Sequence, residues 1–110
     1  MVSDLEALDT AQALRERVIG TIREHDAELR ALGVEKLWLF GSLARGDVCP
    51  DSDVDVLIDI VPGRRFSLLD LAEVRLALCD LLGRDAGVVI REDLRSGFRD
   101  RIADDLIEVF

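Results

Sequence analysis

The sequence of 110 residues lacks long apolar runs, a surplus of positive charge and cysteine-rich motifs. No apolar stretch could span a bilayer, and no positively charged start leads into a hydrophobic segment typical of export signals, so we expect a cytoplasmic location. The formal net charge of −9 argues against sequence-independent binding to DNA or RNA, which depends on cationic patches. Cys49 and Cys79 have no metal-ligand spacing and are predicted to be reduced thiols.

Linkers, repeats and low-complexity tracts are also missing, so residues 1–110 are predicted to form one domain. The composition, 49% hydrophobic and 34% charged, is typical of a globular protein rather than a disordered one. Helical and strand patterns alternate, with strands expected at residues 37–40, 54–60 and 86–90 and an edge strand at 106–110. We therefore predict an α/β (α+β) fold with a mixed sheet of four strands and helices packed on one face.

Three helices are predicted from apolar periodicity and capping signals. The first covers residues 10–32, because Asp9 and Gln12 fit a capping box and Gly33 is suited to end it. Within its apolar stripe lies His25, interpreted as a half-buried residue at the edge of the core with a hydrogen-bonded nitrogen. Gly20, in mid-helix, should cost about 1 kcal/mol relative to alanine, which disfavours an unbroken helix. The third helix is expected to start at Glu92 and Asp93.

The second helix has the clearest boundaries. Ser67 and Asp70 form a capping box at its start, and Gly83 ends it. Its apolar residues cover about two-thirds of its circumference, more than packing on one sheet requires. The additional apolar surface packs either on the first helix or on a protein partner, and the negative charge of the chain favours a basic partner.

The most informative motif pairs a glycine-serine turn with two closely spaced aspartates. Gly41 allows a sharp turn after the strand at 37–40, so that backbone amides and the Ser42 hydroxyl face a phosphate. Asp53 and Asp55 share one face at the start of the next strand, with Cα atoms about 6.6–7 Å apart. Two such carboxylates repel each other, whereas one or two Mg²⁺ ions would neutralise both and bridge to substrate phosphates.

These four residues, with the context Gly-Ser-x-Ala-Arg-Gly, resemble the signature of polymerase-β-type nucleotidyltransferases and especially the minimal nucleotidyltransferases. The resemblance covers the chain from the end of the first helix onward. It implies a nucleotidyltransferase fold in which Gly41 and Ser42 bind the β- and γ-phosphates of ATP. It implies that Asp53 and Asp55 are the catalytic residues and the ligands of Mg²⁺. It further implies an antitoxin that transfers AMP from ATP to a tyrosine hydroxyl of a helical HEPN-type toxin encoded beside it.

The chain departs from the family pattern on the third strand. An ungapped match places Gly87 where the family carries an aspartate that completes the metal site and helps to deprotonate the attacking hydroxyl. Losing a positioned general base costs about 10²–10⁴ in rate. Asp85, two residues earlier and on the same face, is the alternative third ligand, or else it caps the turn after Gly83.

Several polar residues have two interpretations each. Arg45 binds the triphosphate or pairs with Asp47 or Asp51, while Ser52 shapes the turn into the second strand or contacts a phosphate. Asp59 is expected to be solvated or salt-bridged.

Three function classes follow: a nucleotidyltransferase acting on a protein, an antitoxin that acts by binding alone, and a transferase acting on a small aminoglycoside-like molecule. The length disfavours the last, because nothing remains to build a substrate domain. The sequence leaves open whether the chain forms a homo-oligomer.

Overall fold

A computed structural model describes residues 4–46 and 53–110, so the predictions for Asp47, Cys49, Asp51 and Ser52 lie outside the described residues. The helices are α1 (Asp4–Glu24), α2 (Asp26–Ala31), α3 (Gly41–Arg45), α4 (Leu68–Leu82) and α5 (Ser96–Ile102). The strands are β1 (Val34–Phe40), β2 (Val54–Ile60), β3 (Ala86–Ile90) and β4 (Ile107–Glu108). Within these residues no helix is both long and apolar enough to cross a membrane.

The four strands form one mixed sheet, as predicted, and their order is β3-β2-β1-β4. β1 is antiparallel to β2 and to β4, whereas β2 and β3 are parallel. β4 is an edge strand shorter than the predicted 106–110, although Val109 and Phe110 continue hydrogen bonding to Leu37. The C-terminal end of β1 therefore lies beside the N-terminal ends of β2 and β3.

Alternation along the strands divides the core between the two faces of the sheet. Leu37, Leu39 and Val56 belong to the larger cluster, which α1, α2 and α4 cover. On the opposite face, Phe40 and Leu57 pack with Ile102 of α5. The predicted arrangement of helices on one face therefore holds for the long helices but is wrong for α5. Phe40 and Leu57 alternate along their strands with the residues of the first face. Their apolar side chains therefore lie on the second face, where α5 buries them.

The first helix differs from its prediction at its start and in the middle, whereas the predicted end is confirmed, since Leu32 caps α2 and Gly33 has a positive φ of 111°. α1 begins at Asp4, so Asp9 lies inside the helix and is not its cap. The single helix over 10–32 is divided at His25, rather than at Gly20, because His25 leaves helical geometry with φ −112° and ψ 20°. The interpretation of His25 is confirmed, since it is half-buried and its Nδ1 lies 2.9 Å from the carbonyl oxygen of Thr21.

The predicted boundaries of α4 are confirmed. The Ser67 hydroxyl accepts a hydrogen bond from the Asp70 backbone N–H, and the Asp70 carboxylate accepts one from the Ser67 backbone N–H at 2.8 Å. At the other end Gly83 closes the helix with a left-handed φ of 65°. The helix packs on β3 and on α1, so the expected contact with the first helix is present. Cys79, on this helix, is a free, half-buried thiol.

The third helix starts later than predicted. Glu92 and Asp93 lie in a single 3-10 turn, and α5 begins only at Ser96. Leu94 separates the two with extended backbone angles, φ −76° and ψ 136°, and its side chain packs in the smaller cluster. The acidic pair is therefore part of a connecting turn and not of a helix N-terminus.

Candidate active site

The glycine-serine motif lies where β1 ends and α3 begins. Gly41 has a φ of +76°, a conformation that side-chain-bearing residues rarely adopt. A Cβ atom at Gly41 would also overlap the carboxylate of Asp55. The sharp turn predicted from sequence is therefore present, and its backbone is packed directly against one of the predicted metal ligands.

Asp55 is half-buried in β2, where it pairs with Phe40 of β1 on one side and with Gly87 of β3 on the other. Burial, and secondly the negative charge of Asp53, raise the pKa of the Asp55 carboxyl above its ordinary value. The Arg45 guanidinium opposes this rise. Asp53, exposed just before β2 begins, thus lies close enough to Asp55 to disfavour its ionisation. The second of these causes is the effect expected where two carboxylates lie close together.

Gly87 occupies the position beside Asp55 at which the family resemblance predicts an aspartate. Parallel pairing places the two residues at the same level of the sheet. A Cβ atom added at Gly87 would lie 3.4 Å from Asp55 Oδ1, an ordinary van der Waals contact. The position therefore has room for a side chain, and this chain places none there.

Asp85 precedes β3 and is exposed. Its carbonyl oxygen accepts a hydrogen bond from the backbone N–H of Val54 at 3.0 Å, which continues the β2–β3 ladder by one step. Residue 85 therefore stands level with the start of β2, two residues from Gly87. Among the described residues, no group of three or more histidine, cysteine or acidic side chains is arranged to hold a metal ion. The role of Asp85 as a third ligand stays a prediction.

Arg45 ends α3 and interacts with a residue that sequence reasoning did not single out. Its Nη1 lies 3.4 Å from Asp105 Oδ2, and both groups are partly exposed. The two residues are 60 positions apart, so no local pattern could have paired them. Arg15 of α1 is a second residue that the sequence did not indicate. Its Nη1 donates a hydrogen bond to the carbonyl oxygen of Ala44, in α3, at 3.2 Å. The short helix that follows the glycine-serine turn is thus held by contacts from both ends of the chain.

Asp59 lies further along β2 and is kept apart from the site. Its Oδ1 accepts a hydrogen bond from Arg91 Nε at 2.8 Å, and the Arg91 guanidinium also stacks over the Trp38 ring at 5.2 Å from the centroid. The prediction of a salt-bridged Asp59 is confirmed. Of the three aspartates between residues 53 and 59, Asp53 and Asp55 are therefore the two that remain for the glycine-serine turn.

The model of one protein family, described as a nucleotidyltransferase domain, matches residues 22–109. The chain belongs to this family. A protein adenylyltransferase, MntA, from Thermococcus cleftensis is 34% identical over 97 residues, which cover 86% of this chain and 94% of the relative. This membership confirms the nucleotidyltransferase assignment predicted from Gly41, Ser42, Asp53 and Asp55.

Solved structures show the same fold. A candidate minimal nucleotidyltransferase superposes with a TM-score of 0.63 at 34% identity, over 91% of this chain and 93% of the other. A Shewanella oneidensis complex of a tri-AMPylated HEPN toxin with its MNT antitoxin gives a TM-score of 0.56 at 14% identity, over 91% of this chain and 71% of that one. At that identity the second likeness supports the fold alone.

Proposed function

We propose that this chain transfers AMP from ATP to a tyrosine hydroxyl of a helical HEPN-type protein encoded beside it, and so acts as an antitoxin. The observation that carries the proposal is the packing of the Gly41 turn directly on the Asp55 carboxylate, with Asp53 close by. This arrangement brings a turn suited to phosphates next to two carboxylates. The name of the Thermococcus relative and the AMPylated toxin of the Shewanella complex support the choice of nucleotide and acceptor.

The donor set fits a hard divalent cation such as Mg²⁺, which Asp53 and Asp55 would hold. Carboxylate oxygens are its preferred protein ligands, and burial, with the nearby charge of Asp53 second, raises the pKa of the Asp55 carboxyl, so a bound cation would favour its charged form. Bound there, the ion would neutralise both carboxylates and part of the triphosphate charge.

Within the transfer, the residues of the chain mainly position the reactants. The backbone N–H groups that follow Gly41 would hold the β- and γ-phosphates, which leaves the α-phosphorus toward the acceptor. The acceptor oxygen forms a bond to the α-phosphorus, the bond to the bridging oxygen of the β-phosphate breaks, and pyrophosphate leaves. The hydroxyl proton must pass to a base, and Gly87 supplies none at the position where the family carries an aspartate.

The decisive experiment incubates the full chain with Mg²⁺, the co-purified HEPN-type protein and ATP labelled in its α-phosphate. We expect label on the partner with the wild type and none with the Asp53→Asn/Asp55→Asn double variant. Asp59→Asn is the matched control. It removes a carboxylate from the same strand, but one that pairs with Arg91 and does not face the turn. Equal labelling by the double variant and the wild type would contradict the assigned site.

A second function, neutralisation of the partner by binding alone, is favoured by the missing side chain at Gly87. A site with two carboxylates instead of three should bind metal more weakly and transfer more slowly. The same incubation separates the two functions, because a binding antitoxin would neutralise its partner in stoichiometric amounts without ATP. The double variant would then neutralise as well as the wild type.

A further inference from the structure

Helix α4 leaves part of its apolar surface uncovered. Val74 and Leu78 are fully buried, whereas Leu68, Leu69 and Leu76 are 85%, 78% and 64% exposed. Packing on β3 and α1 therefore uses only one side of this helix. An uncovered apolar strip on a regular helix is unlike the singly scattered hydrophobic residues of an ordinary surface.

The uncovered residues repeat with the spacing of a helix–helix interface. Leu69, Ala72 and Leu76 stand at positions i, i+3 and i+7, the a-d-a pattern of a heptad, and all three are exposed. We call these three residues the α4 seam. The helix is 15 residues long, about 22 Å, so it offers two heptads to a partner helix.

The charges beside the α4 seam indicate which partner fits it. Glu73 and Asp80, seven residues apart, follow the two seam leucines by four positions and line one edge, where both are exposed. Within the described part of the chain, no ion pair involves either of them. On the other edge Arg75 donates from Nε to the Ala86 carbonyl oxygen at 3.2 Å, which holds its side chain toward the sheet.

We propose that the α4 seam docks an amphipathic, basic helix of a protein partner, with apolar residues at heptad spacing against the α4 seam and Lys or Arg against Glu73 and Asp80. A second copy of this chain fits less well. Antiparallel pairing of two α4 helices would bring the acidic edges together, and each copy carries a net charge of −9. The α4 seam is separate from the site formed by Gly41 and Asp55. Docking and nucleotidyl transfer can therefore be tested independently, and failure of one does not imply failure of the other.

The test uses the full chain and a fluorescently labelled synthetic helix of three heptads, with Leu at a and d and Lys at e and g, followed by fluorescence anisotropy. A matched peptide carries Glu at e and g. We expect the wild type to bind the basic peptide at least tenfold more tightly than the acidic one. The Leu69→Gln/Leu76→Gln variant should bind the basic peptide at least tenfold more weakly than the wild type does. Val61→Gln is the control, because Val61 is an exposed apolar residue, 36% accessible, that lies outside α4.

Charge reversal supplies a second variant that leaves the leucines in place. Glu73→Lys/Asp80→Lys should invert the preference, so that the acidic peptide binds more tightly than the basic one. Unchanged helical circular dichroism checks the fold of each variant. The proposal is overturned if the basic peptide does not bind, if all variants bind it equally, or if sedimentation equilibrium shows a homodimer that Leu69→Gln/Leu76→Gln dissociates.

Discussion

Replacing Gly87 with aspartate should strengthen metal binding at the site. Gly87 pairs with Asp55, its φ is not positive, and an added Cβ would make an ordinary 3.4 Å contact with Asp55 Oδ1. The backbone can therefore accept a side chain without rearrangement. Gly87→Asn is the matched control, since it adds almost the same volume without the charge.

The magnitude follows from two opposing terms. In the absence of metal, a new carboxylate about 4 Å from Asp55 repels it by about 1 kcal/mol at the dielectric constant of water and about 4 kcal/mol at an effective value near 20. Replacing a glycine in the interior of a strand raises the free energy of unfolding by about 0.5–1 kcal/mol. Both variants gain this term, so it cancels when they are compared with each other. Without metal, the free energy of unfolding of Gly87→Asp should therefore lie about 1–4 kcal/mol below that of Gly87→Asn.

Saturating Mg²⁺ should reverse this order, because a ligand that binds only the folded state stabilises it. The assay is urea unfolding with and without Mg²⁺, together with calorimetric titration of Mg·ATP and transfer of labelled AMP. We expect tighter Mg·ATP binding and faster transfer for Gly87→Asp. Identical Mg²⁺ responses of the two variants would refute the reasoning. If Gly87→Asp were no more active than the wild type while Asp85→Asn abolished transfer, Asp85 would be the third carboxylate.

Three further predictions concern stability. Gly41→Ala should lower the free energy of unfolding by about 1–3 kcal/mol in urea, since it adds overlap with Asp55 to the cost of positive φ. Gly46 has a φ of +82° with open space around it, so Gly46→Ala should lower the free energy of unfolding by less than Gly41→Ala does. An equal loss in the two variants would contradict a contribution from overlap with Asp55. Asp55→Asn should raise the free energy of unfolding at pH 7 with chelator present, because burial and Asp53 disfavour the charged carboxylate, and a lowered value would contradict this. Hydrogen bonds from Ser67 lower the pKa of the Asp70 carboxyl, so its stabilisation should be present above the unfolded pKa of 3.8 and be lost as the pH falls through the lower folded value. Circular dichroism should show that Ser67→Ala reduces this acid dependence and costs about 1 kcal/mol at neutral pH.

Elements marked by local chemistry were predictable from the sequence. The alternation in β2 predicted its bounds, and the capping box at Ser67 with the left-handed Gly83 predicted those of α4. Both signals act within a few residues, and neither requires knowledge of the rest of the fold. The same holds for the glycine-serine turn, whose sharp geometry Gly41 already implies.

Features set by distant contacts were not predictable. Arg45 meets Asp105 across 60 positions, and α5 covers the second face of the sheet because Ile102 joins Phe40 and Leu57 there. The helix breaks at His25 and not at Gly20, although glycine has the lower intrinsic helix propensity. Tertiary packing outweighed local preference at that point, since Ile22 and Leu29 on either side of the break are both completely buried.

The position of Asp55 gives Gly41 and Gly87 different structural roles. Gly41, directly after β1, and Gly87 of β3 both lie beside its carboxylate. Gly41 is required twice over, by its positive φ and by the space that Asp55 occupies. Gly87 is required by neither, because its φ is not positive and a Cβ fits at 3.4 Å. The first glycine is therefore a condition of the fold of the site, whereas the second is a position with room for the aspartate that the family resemblance predicts.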